Sequence, residues 1–393
     1  MNIHEGFLAQ MREATQLLQT EGPMAATAAI QRALHGASST TEAAQPVMRD
    51  INPPPAGTQA AADILARFRD YTAGKRPSPG YQTVEDVVAR DVREARADVP
   101  AKGRFIAGTC TSAAGTRAYK LYIPSAYKGE PLPLVLMLHG CTQNPDDFAT
   151  GTGMNAAGEE SGCFVVYAEQ TKNANGSQCW NWFQPGDQQR DQGEPSILAA
   201  ITGDIASNYK VDTSRIYVAG LSAGGAMAVV LAATYPDRFA AVGIHSGLPY
   251  GIARDVPSAF AAMKRRKSRG GEALHGKKPA PLAERVPAIV FHGDRDTTVS
   301  PVNGEQVLAQ CIPAAGGKEA NAEVQQGAVP GGRTYTRTIM RDEQGNPVAE
   351  KWIVHGAGHA WSGGSRQGSY TDPKGPDASR EMLRFFLTHR KGV

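Results

Sequence analysis

Cysteine is scarce in this chain. There are five in 393 residues, an odd number, and no two form a C-x-x-C pair. That excludes a small disulfide-dense scaffold and offers no spacing for a structural zinc site. Long hydrophobic runs are missing as well, so no stretch reaches the ~20 apolar residues that a membrane-spanning helix needs. The start, Met1-Asn2-Ile3-His4-Glu5-Gly6-Phe7, lacks a basic segment followed by an apolar one, the pattern of a secretory leader. A cytoplasmic location is the expectation; a chain trimmed of its leader would instead be extracellular. Charge excess is absent too. Lys plus Arg number 41 against 38 Asp plus Glu, and no basic stripe carries interleaved aromatics, so nucleic-acid binding is set aside. The sharp basic run Lys264-Arg265-Arg266-Lys267 sits in a polar, Gly-containing stretch and reads as a solvated loop, with an anionic partner as the other reading.

What is present is the composition of an ordinary globular protein, 41% hydrophobic and 20% charged, long enough for a sizeable core. Residues 1–36 read as a helical hairpin. Phe7, Leu8, Met11, Ala14, Leu17 and Leu18 form one helical stripe, and a second helix starts at Pro23 and stops at Gly36. Residues 37–100 read as a linker rich in Ser, Thr, Ala and Pro, followed by short helices. The texture changes over 101–393. Arg104–Cys110 and Arg117–Ile123 read as a strand pair around Ala114-Gly115. Short apolar runs then alternate with helical patterns: Leu134–Leu138, Phe164–Ala168, Ile216–Ala219, Ala241–Ile244, Ala288–Phe291 and Trp352–Val354. Such strands predict an α/β fold with a mostly parallel sheet covered by helices on both faces.

Within that region Gly220-Leu221-Ser222-Ala223-Gly224 stands between the strand Arg215–Ala219 and an apolar helical run from Gly225 to Ala232. Strand, G-x-S-x-G and helix together describe a nucleophile elbow, the turn that exposes a serine beside backbone N–H donors. No other G-x-S-x-G occurs in the chain. An α/β-hydrolase fold places the acid and the histidine after the serine, in that order. Past the strand Ala288–Phe291 comes His292-Gly293-Asp294-Arg295-Asp296. Asp296 is favoured as the acid because the turn needs residues to fold back toward the histidine loop; Asp294 is the reserve. Past Trp352–Val354 comes His355-Gly356-Ala357-Gly358-His359, where His359 takes the general base position and His355, at the strand end, a structural one. The oxyanion donors are expected to be the N–H groups of Ala223 and Cys141, the latter in Leu138-His139-Gly140-Cys141-Thr142 after an earlier strand. A Cys141 nucleophile is the alternative, but no base is positioned for it by sequence. Trp180, Trp182, Leu248, Tyr250 and Trp361 flank these motifs and either line an apolar cleft or pack the top of the sheet.

With these residues in hand, the region resembles the polyhydroxybutyrate (PHB) depolymerase family of serine esterases, which includes feruloyl and acetylxylan esterase relatives. The matching pieces are Leu138–Gln143, Cys179-Trp180-Asn181-Trp182-Phe183, Gly220–Met227, His245-Ser246-Gly247-Leu248-Pro249, His292–Asp296 and Gly358–Trp361, in the family's order across most of residues 104–390. The resemblance implies Ser222, Asp296 and His359 as nucleophile, acid and base, no metal or organic cofactor, and a disulfide between Cys141 and Cys179. It leaves Cys110, Cys163 and Cys311 as buried small hydrophobes. Extracellular members of the family often carry a polymer-binding domain after a linker. This chain ends soon after the helix Ala378–Leu387, so none is expected here. Forms without a leader suggest enzymes acting on storage granules. The Phe7/Met11/Ala14/Leu18 stripe would then lie on a PHB granule surface; its other readings are a cap on the catalytic domain or a homodimer contact. The expected function is hydrolysis of poly(3-hydroxybutyrate) or its oligomers, with feruloyl or acetylxylan esters as the alternative. A granule-coating protein is the non-enzyme alternative, and the intact Ser, Asp, His order counts against it.

Overall fold

The computed structural model describes residues 103–265, 280–312 and 322–392, all within the unit Asp91–Val393. The expected hairpin (1–36), the linker and short helices (37–100) and part of the 264–267 basic run lie outside the described residues.

The chain first makes the antiparallel pair β1 (Arg104–Ser112) and β2 (Gly115–Ile123), then β3 (Leu132–Leu138), helices α1 (Pro145–Thr152) and α2 (Met154–Ser161), and β4 (Phe164–Ala168). Helix α3 (Gly193–Asn208) leads to β5 (Val211–Leu221), α4 (Ala223–Thr234), β6 (Ala241–His245), α5 (Val256–Met263), β7 (Ala288–Gly293) and α6 (Val302–Cys311). A hairpin of β8 (Ala322–Ala328) and β9 (Thr334–Arg341) precedes β10 (Pro347–Val354). The short pair β11 (Trp361–Ser362) and β12 (Thr371–Asp372) follows, and then α7 (Ala378–Phe386).

Ten strands form one sheet in the order β1-β2-β4-β3-β5-β6-β7-β10-β9-β8. The six from β4 to β10 are parallel, and the antiparallel pairs β1–β2 and β9–β8 flank them. These six are the six runs expected from sequence. Each is short and apolar because it is covered on both faces. Alternate residues go to opposite sides, as the pleat requires. Leu134, Leu136 and Leu138 of β3 pack toward α3 and α4, while Val135 and Met137 join Phe148 of α1, Met154 of α2 and Phe386 of α7. Helix α4 is buried nearly all round, which explains its unbroken run of small and apolar residues. Gly243 lets α7 lie close on β6, since a Cβ there would stand 2.8 Å from the Met382 sulfur. This is the α/β-hydrolase fold, with its loops gathered at the carboxyl ends of the parallel strands. Among the described residues no helix is long and apolar enough to cross a membrane.

The edge hairpin β8–β9 has no counterpart in the sequence reading. Strand β8 is almost wholly exposed and carries no apolar run to announce it.

Candidate active site

Ser222 stands between β5 and α4 with φ 57° and ψ −117°. A non-glycine residue is held there only where its surroundings leave no choice. They leave none here. The Ser222 N–H donates to the His245 carbonyl at the end of β6 (2.9 Å), and the Ser222 carbonyl accepts from the Ala226 N–H (2.9 Å). The flanking glycines are sites of close approach. A Cβ on Gly220 would lie 2.4 Å from the Gly224 carbonyl, and one on Gly224 would lie 2.0 Å from the Leu138 carbonyl oxygen.

Asp296 follows β7 and is 6% exposed. Its Oδ2 lies 2.7 Å from His359 Nδ1, and its Oδ1 accepts the N–H groups of Thr298 (2.9 Å) and Val299 (2.8 Å). A carboxylate partner at Nδ1 puts the imidazole proton there and leaves Nε2 as the proton acceptor. Burial alone would raise the Asp296 carboxyl, but donors on His292 and His359 outweigh it and hold the group well below the usual carboxylate range. Asp294, the reserve acid, pairs instead with His355 (Oδ2 to Nδ1, 2.9 Å) and accepts the Gly356 N–H (2.7 Å). With the Arg295 N–H donating to the Ala357 carbonyl (3.0 Å), that pairing ties the acid turn to the histidine loop.

The turn after β3 lies against the elbow, since a Cβ on Gly140 would stand 3.7 Å from Ser222 Cβ. Its N–H groups are nearly all taken. Gly140 donates to Gln143 Oε1 (2.9 Å), Thr142 to the Ser177 carbonyl (2.7 Å) and Gln143 to the Gly140 carbonyl (3.3 Å). Of the four N–H groups from Gly140 to Gln143, that of Cys141 is the uncommitted one. A free N–H beside a half-buried serine at a strand-to-helix turn is what an oxyanion site requires.

The family model "Esterase PHB depolymerase" matches residues 117–330, over half of the chain. The chain belongs to the Esterase PHB depolymerase family. It is 33% identical over 242 residues to poly(3-hydroxyalkanoate) depolymerase C of Paucimonas lemoignei, an alignment covering 61% of this chain and 57% of that one. It is 30% identical over 244 residues to poly(3-hydroxybutyrate) depolymerase of Ralstonia pickettii, covering 59% and 48%. It is 26% identical over 232 residues to feruloyl esterase B of Thermothelomyces thermophilus, covering 56% and 77%. The chain thus spans about half the length of the two depolymerases.

In this family member Cys141 and Cys179 form a disulfide, fastening the turn after β3 to the Trp-rich loop. Cys110, Cys163 and Cys311 are buried free thiols. Beneath the disulfide lies a polar network that sequence reasoning missed. Trp180 Nε1 donates to the His139 carbonyl (3.1 Å), and the Gln170 N–H donates to His139 Nε2 (3.1 Å). Burial pushes the His139 imidazole down to about 4, so it stays neutral. Glu194, 3% exposed, accepts from the Asn181 N–H (2.7 Å), Asn181 Nδ2 (2.9 Å) and Gln170 Nε2. These partners come from separate segments, so no local pattern marks them.

The cleft reading of the aromatic and apolar set needs correction. Trp180, Leu248 and Trp361 are at most 1% exposed. Trp361 packs edge-on to Phe148, stacks on His245 and donates Nε1 to Ser379 Oγ. These three close the top of the sheet and offer a substrate no surface. Trp182 is also buried, and Tyr250 is half-buried, its hydroxyl spent on the Gln188 carbonyl (2.9 Å).

Proposed function

We propose that this chain is a carboxylic-ester hydrolase that cleaves poly(3-hydroxybutyrate) or its oligomers through Ser222, His359 and Asp296. The observation that carries this reading is the 2.7 Å contact of Asp296 Oδ2 with His359 Nδ1, together with a serine held at φ 57° in the turn between β5 and α4. His359 Nε2 takes the Ser222 proton as Oγ attacks the ester carbonyl. The oxyanion forms between the N–H groups of Cys141 and Ala223. His359 then protonates the leaving alcohol, and Asp296, ionised throughout, stabilises the imidazolium. Water repeats the cycle on the acyl-enzyme.

The two relatives named as depolymerases support the polyester substrate, and the relative named feruloyl esterase B supports the carbohydrate-ester alternative. The test is product release from amorphous PHB granules, beside a feruloyl ester, with Ser222→Ala as the blank. Soluble 3-hydroxybutyrate or its oligomers, absent from the blank, is the expected result. Ferulate release with inert granules would move the chain to carbohydrate esters. Ester hydrolysis retained by Ser222→Ala would sink the assignment altogether. Sedimenting the same granules with bound protein tests the proposed granule contact of residues 1–36.

A further inference from the structure

Asp296 has two imidazole neighbours, and the mechanism above uses one. His292 sits near the end of β7, four residues before Asp296, and is 1% exposed. Its Nε2 lies 2.9 Å from the Val299 carbonyl oxygen and 3.4 Å from Asp296 Oδ2, the oxygen that His359 also reaches. A carbonyl oxygen only accepts, so Nε2 carries the proton and Nδ1 is bare in the neutral ring. Among the described residues Nδ1 has no hydrogen-bond partner. Helix α6 covers it, since a Cβ on Gly304 would stand 2.8 Å from Nδ1. Leaving a buried ring nitrogen unpaired is costly, and an apolar side chain would fill this volume without that cost. The Nε2–H is what distinguishes histidine here. Its hydrogen bond goes to Val299, and the Asp296 carboxylate stands at the outer edge of its reach.

We propose that His292 is a positioning residue for the acid: its Nε2–H, set between the Val299 carbonyl and Asp296 Oδ2, fixes the carboxylate that orients His359 and draws off part of its charge. The proposal rests on the hydrolytic reading of Ser222, His359 and Asp296. The turn Asp296–Val299 is then closed from both sides. Its N–H groups bind Oδ1, and His292 binds its last carbonyl while leaning on Oδ2. Among the described residues, the titratable groups facing the Asp296–His359 pair are His292 and His245. Burial holds His245 down to about 3, so it adds no charge.

The test compares His292→Gln, which keeps an N–H donor at similar reach, with His292→Phe, which keeps a ring and loses the donor. Both are assayed on soluble p-nitrophenyl butyrate across pH, with melting temperatures alongside. His292→Phe is expected to lower kcat by about 10- to 100-fold, the scale of a misplaced catalytic group, with KM little changed. Its acid limb should move to higher pH, because an unshared Asp296 charge favours protonated His359. His292→Gln should recover most of kcat and the wild-type limb. Wild-type kcat and pH profile in His292→Phe would overturn the proposal. So would equal loss in both variants, which would mark a packing role. If His292→Phe does not fold, Gly304→Ala presses on the ring from the Nδ1 side; an unchanged kcat in that variant also overturns the proposal. Hydrolysis surviving Ser222→Ala in the same assay would remove the hydrolytic reading itself, separately from anything His292 variants do.

Discussion

Ser222 holds its hydroxyl in place with a backbone conformation that most side chains avoid, and conformations of that kind store about 1–3 kcal/mol each. The strain can be measured by comparing two inactive variants. Ser222→Ala and Ser222→Gly both remove the proposed nucleophile, but only glycine adopts a positive φ without steric cost. Glycine gains freedom when unfolded, which offsets part of the relief. The expected outcome is that Ser222→Gly unfolds at higher denaturant than Ser222→Ala, by a net ~1 kcal/mol. The reverse order would mean that the turn at residue 222 is not where strain is held. The turn at Ser222 was legible in sequence for the same physical reason: it demands small neighbours, so glycines mark it. His292 carried no such mark. Its partner Val299 is seven residues on, and nothing local shows which way an imidazole faces.

At the scale of elements, each group of the proposed site sits on a loop or turn tied to a neighbouring segment. The Cys141–Cys179 disulfide closes a separation of 38 residues and holds the turn that offers the Cys141 N–H. Loop-closure entropy for such a separation is worth about 3–4 kcal/mol of stability. Replacing both cysteines by alanine leaves every backbone donor in place. We therefore expect a lower melting temperature and a kcat reduced roughly tenfold at nearly constant KM, because in the proposed mechanism the turn acts on the transition state. A change in KM alone would show that the bridge shapes substrate binding instead. The parallel strands were legible because burial on both faces writes an apolar run, as in Phe164-Val165-Val166-Tyr167-Ala168. The outer hairpin was not. Val324 in β8 is 63% exposed, and β9 is held to β10 by Arg337 on buried Glu350, a charge pair that resembles any surface pair in sequence. The aromatics misled for a related reason, since a tryptophan beside a catalytic motif packs a sheet as readily as it lines a cleft.

Across the whole molecule, Glu194 joins segments that no single element connects: Asn181 in the Trp-rich loop, Gln170 after β4, and Arg117 on β2 at 3.9 Å. Burial, and then the nearby Asp187 charge, push its carboxyl up from 4.5 to about 7. A carboxyl raised in the folded state binds its proton more tightly there than in the unfolded chain. Its contribution to stability is therefore complete below the unfolded value of 4.5 and is lost as pH rises through about 7. The donors on Asn181 and Gln170 favour the ionised form but do not offset the burial, and the loss is on the order of 3 kcal/mol. Glu194→Gln cannot titrate and places an amide donor among groups that donate, so it should be less stable than the wild type under acid conditions. The discriminating quantity is the slope. Wild-type melting temperature should fall between about pH 5 and about pH 8 by more than that of Glu194→Gln. Parallel curves for the two proteins would mean that Glu194 is already ionised at the acid end, with its donors outweighing its burial.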